Sequence, residues 1–231
     1  MTGLTVLLLV AFIALGRWQW GRGEYKQQLR EQFLQGGAAA QPLASQASTA
    51  LPRYTHVSVT GRWDGLRQFL LDNRTRDGQA GFEVLTPLVL DDGRWLLVNR
   101  GWLPFRGYRD QLPDVTLAAT SAAVTVNGRL DELPSAGLDA GRAPPAATGG
   151  WPRVTSYPTG AQLAAALGGV RLESRVLLLD AAAPGGYQRD WQPPGRGPET
   201  HWSYAIQWWS FAVLLLVLYV TLNLKKTGNE T

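Results

Sequence analysis

The sequence predicts an α+β membrane protein in which two transmembrane helices, one near each end, flank an antiparallel β-rich domain outside the cytoplasm. Three observations predict it. Two uncharged apolar runs, Thr2–Gly16 and Ile206–Leu224, lie near the ends of the 231-residue chain. Between them, short stretches rich in β-branched and aromatic residues alternate with turn residues. Only one short segment of that middle region, Thr159–Leu167, carries helix start and stop signals.

The first apolar run ends at Arg17, with Trp18 and Trp20 beside it. Extended to Trp20 it has about 19 residues, or roughly 28 Å of helix at ~1.5 Å per residue, close to the hydrocarbon thickness of a bilayer. Arg17 can snorkel and the Trp pair suits an interfacial belt. Small residues at Ala14 and Gly16 also fit a cleaved signal peptide, but no basic segment precedes the run, so a retained anchor is expected. The second run has Trp208 and Trp209 at one end, Tyr219 towards the other and Lys225-Lys226 directly after it. The lysine pair assigns the C-terminus to the cytoplasm, and two spans return the N-terminus to the same side. Arg17 and Arg22 on the outer side run against the positive-inside rule, from which so long a connecting segment is largely exempt. The expected organisation is a first span (1–20), a helical extension and linker (21–52), a periplasmic β-rich domain (53–200), a second span with its interfacial start (201–224) and a cytoplasmic tail (225–231).

Tyr25, Leu29 and Phe33 are spaced four apart, so the first helix is expected to continue past the membrane. Residues 36–52 lack apolar periodicity and read as a linker. Strands are expected at Tyr54–Trp63, Gln68–Asp72, Phe82–Leu90, Trp95–Trp102, Val124–Leu130, Arg153–Tyr157 and Arg175–Asp180. Asp91-Asp92-Gly93 is a hairpin turn, since glycine accepts the positive φ that a tight turn requires. Residues 131–150, rich in Gly, Ala and Pro, read as a mobile loop. Thr159 is the expected N-cap of the short helix, and Gly168 ends it.

Composition restricts the chemistry. Cysteine is absent, which removes disulfides, thiolate nucleophiles, Cys-ligated zinc, iron–sulfur clusters and covalent c-type haem. Met1 is the one methionine, so thioether copper sites are excluded. Net charge is +4, with basic residues dispersed, so there is no nucleic-acid footprint. No G-x-S-x-G, H-E-x-x-H or Walker sequence occurs. A metal or haem iron held through nitrogen must use His56 or His201, the two histidines. His56 shares the polar face of its strand with Tyr54 and Ser58, where solvent exposure or a local hydrogen bond is expected. Arg100, in Asn99-Arg100-Gly101-Trp102, is expected to form an internal ion pair or, with Trp102, to contact a partner or a propionate.

His201 stands where Gly197-Pro198-Glu199 starts a helix that runs on into the membrane. His201, Tyr204, Ala205 and Trp208 then share one helical face. An imidazole among aromatics at a membrane boundary can ligate the iron of a porphyrin, with Arg196 meeting a propionate. The same pattern also fits a plain interfacial belt helix.

Four groups of residues carry a resemblance. They are Leu15-Gly16 with Trp18-Gln19 and Arg22; Gly81 with Leu85-Thr86-Pro87-Leu88; Val98-Asn99-Arg100-Gly101-Trp102 with Pro104; and Pro198-Glu199, His201, Tyr204-Ala205 and Gln207-Trp208. In this order they resemble the surfeit-locus (SURF-type) cytochrome c oxidase assembly proteins. The resemblance implies an inner-membrane protein that is not an enzyme and assists maturation of subunit I of haem-copper oxidases alongside other assembly factors. It also implies haem a as cofactor, with its histidine ligand falling on His201. Trp202 departs from the aliphatic residue common there. The alternative is a scaffold that steadies subunit I without cofactor, relying on Trp18, Arg22 and the two spans.

Overall fold

Residues 2–36, 39–44, 46–105, 107, 111–117, 122–135, 142–193 and 195–227 are described in the computed structural model of this chain. The elements in chain order are α1 (Thr2–Gln35), β1 (Gln41–Pro42), a 3-10 turn (Ser48–Ala50), β2 (His56–Trp63), β3 (Phe69–Arg76) and β4 (Gln79–Leu90). They continue with β5 (Trp95–Pro104), β6 (Val124–Glu132), β7 (Arg153–Thr155), α2 (Gly160–Ala166), β8 (Leu172–Leu179) and α3 (Pro198–Thr227). The chain divides into two compact units, Met1–Glu31 with Pro193–Thr231, and Gln32–Gln192.

In the first unit, α1 and α3 pair antiparallel. Thr2 meets Tyr219 near one end (3.0 Å) and Arg30 meets Glu199 near the other (3.0 Å). Both helices are long and apolar enough to cross a membrane. Their outward faces expose Leu4, Leu7, Val10, Val213, Val217 and Leu222. Apolar side chains left uncovered in such numbers suit hydrocarbon and not water. Two apolar helices flanking a β-rich domain are the architecture that the sequence predicts.

In the second unit, β2, β6, β8, β5 and β4 close into a five-stranded barrel, because the end of β4 returns to pair with β2. β3 and β7 extend the sheet from β4, and β1 flanks β2. Most pairings are antiparallel, as expected. Three are parallel: β1 with β2, β3 with β7 and β5 with β8. Parallel neighbours require a crossover connection, and hairpin signals cannot reveal such long-range pairing.

Leu96, Val98, Leu177 and Leu179 join one core cluster, while Leu97, Val176 and Leu178 join another. Successive side chains of a strand point to opposite faces, so β5 and β8 are covered on both sides. This explains why they read as continuous apolar runs rather than alternating ones. The second cluster is capped by Leu163 and Leu167. The helix α2 that carries Leu163 starts with a capping box: Thr159 Oγ1 accepts from the Gln162 amide at 3.2 Å, and the Thr159 amide donates to Gln162 Oε1 at 2.8 Å. Gly168 follows with φ +97°, as the stop signal requires. The Asp91–Gly93 turn also forms as expected, with Gly93 at φ +80°. The strand expected to stop at Asp72 instead continues to Arg76 through an irregularity between Leu71 and Arg74, with Asn73 at φ +62°. Of the loop expected at 131–150, residues 136–141 lie outside the described residues. Val124–Glu132 forms β6, and Ala143 bridges Ser156.

Residues 36–52 depart most from expectation. The described part of this segment is not a free linker: Leu43 is 1% exposed and belongs to the barrel core. The buried Arg94 guanidinium donates to the carbonyls of Ala44 and Gln46 at 2.6 Å each and to Glu173 Oε1 at 2.9 Å. Glu173 Oε2 accepts from the Ser48 amide at 2.7 Å. The strap is thus tied down by hydrogen bonds from distant strands, which leave no periodic pattern in its own sequence.

This tie sets a pH response. Burial pushes the Glu173 carboxyl up, but the Ser48 and Arg94 hydrogen bonds outweigh it and hold it below the ordinary range. A carboxyl depressed in the folded state contributes stability above its unfolded value of ~4.3, and that stability is lost as pH falls through the folded value. Protection of the Ser48 amide, taken relative to the intrinsic exchange rate at each pH, should therefore begin to fall below about pH 4, where the unfolded carboxyl protonates. Glu173→Ala should release it at neutral pH, at a cost of about 2 kcal/mol, typical of a hydrogen bond to a charged group. Hydrogen exchange read by mass spectrometry over residues 43–50 checks both.

Candidate functional site

The strongest constellation is on the helix pair. α3 begins with Pro198 and Glu199, a proline whose missing N–H costs nothing and an acid beside the positive end of the helix dipole. His201 follows in the first turn, and its Nδ1 lies 3.0 Å from Gln19 Oε1 of α1. Gly16, Gln19, Trp20 and Gly23 share one face of α1 at helical spacing. The indole of Trp209 rests on Gly16 and that of Trp202 on Gly23, where an added Cβ would come within 2.2 and 2.4 Å of the respective ring nitrogens. Trp20 lies between them, with ring centroids 5.9 Å from Trp202 and 5.7 Å from Trp209. Two glycines seven apart therefore accept two tryptophans seven apart on the antiparallel partner. This lock fixes the rotation of both helices around His201.

The face expected to carry His201, Tyr204, Ala205 and Trp208 is the one that meets α1. Ala205 is fully buried and Trp208 stacks on Phe12 at 5.7 Å. Tyr204 stands at the edge of this face, 44% exposed. Arg196 is exposed in the turn before α3 and, among the described residues, forms no hydrogen bond or ion pair. Its guanidinium is thus available to an anion. Trp202 Nε1 is buried without a hydrogen-bond partner. Gln19 stands at helical spacing from Gly16 and Gly23 in the sequence, but only the fold brings it to a histidine 182 positions away.

A haem needs a nitrogen for its iron and apolar surface for its ring, and a cation can meet its propionates. By type, His201, the Trp20–Trp202–Trp209 group and Arg196 are residues that could serve. Among the described residues no group of three or more His, Asp or Glu is placed to hold a bare metal ion.

The other histidine is placed otherwise. His56 Nε2 lies 2.8 Å from Asp180 Oδ2, half-buried on β2. A hydrogen bond is one of the two outcomes expected for it, and its partner is the residue that follows β8 rather than a nearby one. A cavity of about 350 Å³ adjoins it, lined by Gln32, Gln35, Pro52, Arg53 and Thr55 among others.

Trp18 is 60% exposed, and the Arg22 guanidinium lies 5.8 Å from the Tyr25 ring centre on the same helix. Arg100 and Trp102, expected at a partner contact, are only 4% and 7% exposed. Arg100 does not form the expected internal ion pair, and among the described residues no carboxylate lies within ion-pair reach of it. Its Nε donates to the Gly185 carbonyl at 2.7 Å, and its Nη1 to Gln68 Oε1 at 2.9 Å and to the Val115 carbonyl at 3.0 Å. The guanidinium also covers Tyr187. Burial pushes its pKa down from the ordinary arginine value. Neutral dipoles and a ring face take the place of a counter-ion. Trp102 Nε1 donates to the Arg74 carbonyl at 2.9 Å. Gly101, at φ +110°, could not bear a Cβ, which would come within 2.8 Å of the Gln188 carbonyl oxygen. The motif thus ties the 185–188 segment to β5 within the barrel unit.

Comparison with known proteins agrees with this architecture. Uncharacterized SURF1-like proteins of Mycobacterium bovis and of Mycobacterium tuberculosis are each 31% identical to the chain over 211 residues. The match covers 89% of this chain and 75% of each relative. The profile of the SURF1 family matches residues 6–213, which takes in most of both helices and the whole barrel unit, and the chain belongs to the SURF1 family.

Proposed function

We propose that the chain is a membrane-anchored assembly factor for haem-copper oxidases that takes haem a as cargo through His201 and passes it to oxidase subunit I. Membership of the SURF1 family gives the general role in cytochrome oxidase assembly, and two candidate spanning helices fit a membrane anchor. The observation that carries the finer reading is the placement of His201. It is an imidazole in the first turn of a spanning helix, fixed against Gln19, among packed tryptophans and near a free arginine. Such a site would hold an amphipathic porphyrin at the membrane boundary, with His201 as the residue for its iron and Arg196 as the residue for its propionates. The group would supply an iron centre, and the chain's own part is to bind, orient and release it. Tyr204 and Trp208 flank the same turn as cofactor contacts.

The flanking charge supports the sides in this reading. Lys225-Lys226 favour a cytoplasmic C-terminus, two spans would return the N-terminus to the same side, and the barrel unit would then face the periplasm from the cell inner membrane. Trp18 and Arg22, exposed on α1, are the proposed contacts to subunit I and to other assembly factors.

The protein purified from a host that makes haem a should carry a haem visible spectrum. His201→Ala should remove or shift it while far-UV circular dichroism stays unchanged. An unchanged spectrum would take His201 out of the ligand role. Co-purification of subunit I with no stoichiometric haem in the wild type would instead identify a cofactor-free scaffold.

A further inference from the structure

We infer that Gln19 is a positioning residue for His201: its side-chain carbonyl accepts a hydrogen bond from Nδ1–H, holding the proton on Nδ1 and leaving Nε2 as the bare nitrogen for a ligand. The inference rests on the reading of His201 as the haem ligand, and it adds how the chain prepares that ligand before any haem arrives.

A neutral imidazole carries one N–H and one lone pair, and the hydrogen bond made by one nitrogen decides which is which. Gln19 Oε1 can only accept, and it stands 3.0 Å from Nδ1. The proton therefore sits on Nδ1. Among the described residues no hydrogen bond reaches Nε2, so its lone pair is unused. This is the less common tautomer of a free imidazole, and it must be held there by its partner. The lock supplies the holding. Gln19 lies between Gly16 and Gly23, the two seats of Trp209 and Trp202, with Trp20 packed beside it. α1 cannot rotate Gln19 away from His201 without lifting an indole from its seat. Outer partners of this kind fix the ring and raise the basicity of the ligating nitrogen.

The full chain has two histidines, so 15N-histidine labelling gives two imidazole patterns in a long-range proton–nitrogen spectrum. His56→Gln assigns them. The cofactor-free protein is measured in lipid nanodiscs at about pH 9, well above the ordinary histidine value of ~6.5. The wild type should show His201 as the Nδ1–H tautomer. Gln19→Leu should convert it to Nε2–H, and Gln19→Glu, which keeps the acceptor, should restore Nδ1–H. A purely structural role for Gln19 would leave the tautomer unmoved. Haem affinity should fall about 10- to 100-fold in Gln19→Leu and recover in Gln19→Glu, as for other outer-shell partners. An Nε2–H tautomer in the wild type, or a tautomer indifferent to Gln19→Leu, overturns the proposal, and the wild-type measurement needs no variant to fold. The two readings also fail separately. A haem spectrum that survives His201→Ala, with the Nδ1–H tautomer present, removes the ligand reading alone. An Nε2–H tautomer together with a lost spectrum in His201→Ala removes the role of Gln19 alone.

Discussion

Leucine at Gly16 should pry α3 from α1. A single added Cβ there would come within 2.2 Å of the Trp209 ring nitrogen, and the Trp209 ring is held in turn by Trp20. The indole cannot move aside without breaking that stack, so the helices must separate or rotate. Overpacking of a tight contact costs about 1–3 kcal/mol, and the rigid neighbour puts Gly16→Leu at the upper end. Gly23→Leu meets Trp202 in the same way, at 2.4 Å. Gly21→Leu is the control, since nothing lies within 4 Å of its added Cβ. The chain has no cysteine, so Thr2→Cys with Tyr219→Cys introduces a unique pair at a contact the two side chains now make. A short bis-maleimide should cross-link this pair in the parent and in Gly21→Leu. The closed-to-open ratio should fall about tenfold for each 1.4 kcal/mol lost, and the yield follows once the open state predominates. Because the lock also presents Gln19 to His201, Gly16→Leu should also weaken haem uptake if the proposed ligand role of His201 holds.

Arg100→Ala should be the most damaging single change in the barrel unit. It strips the Gly185 carbonyl of its donor, removes a bond from the buried Gln68 side chain and leaves a cavity beside Tyr187. An unsatisfied buried acceptor costs about 1–3 kcal/mol, and the cavity adds to it, so a loss of about 3–5 kcal/mol is expected. That approaches the total stability of many domains. Gln68 and Thr86 retain their mutual bond of 2.6 Å, which limits the damage to the side of the 185–188 segment. Arg100→Lys should not rescue. A single ammonium cannot span the Gly185 and Val115 carbonyls as the planar guanidinium does, and it is more strongly hydrated. Urea unfolding of the full chain in detergent, followed by tryptophan fluorescence, gives the midpoints. Equal midpoints for wild type and Arg100→Ala would show that the network contributes nothing.

Much of this was legible in the residues. Both spans could be read from uncharged runs, and the continuation of α1 from the four-residue spacing of Tyr25, Leu29 and Phe33. The turn at Gly93 and the cap at Thr159 could be read because their chemistry is local. The strand expected from Tyr54 begins at His56 instead: Tyr54 is fully buried at φ +64° and not on a polar face, and the hydrogen-bond partner of His56 is Asp180, 124 positions away. The ion pair expected of Arg100 is replaced by neutral acceptors, because Gln68, Val115 and Gly185 approach it from distant parts of the chain.

The sequence by itself determined two helices long and apolar enough to cross a membrane, the β-rich domain between them and His201 as one of two possible nitrogen ligands. These are properties of composition, period and element boundaries, which act over a few residues. Only the tertiary structure decided that β4 closes a barrel onto β2, that Arg94 and Glu173 pin the 39–50 strap, and that Gln19 meets His201. Each of these joins groups far apart in the chain by a directional contact, and a directional contact leaves no trace in the residues that flank it.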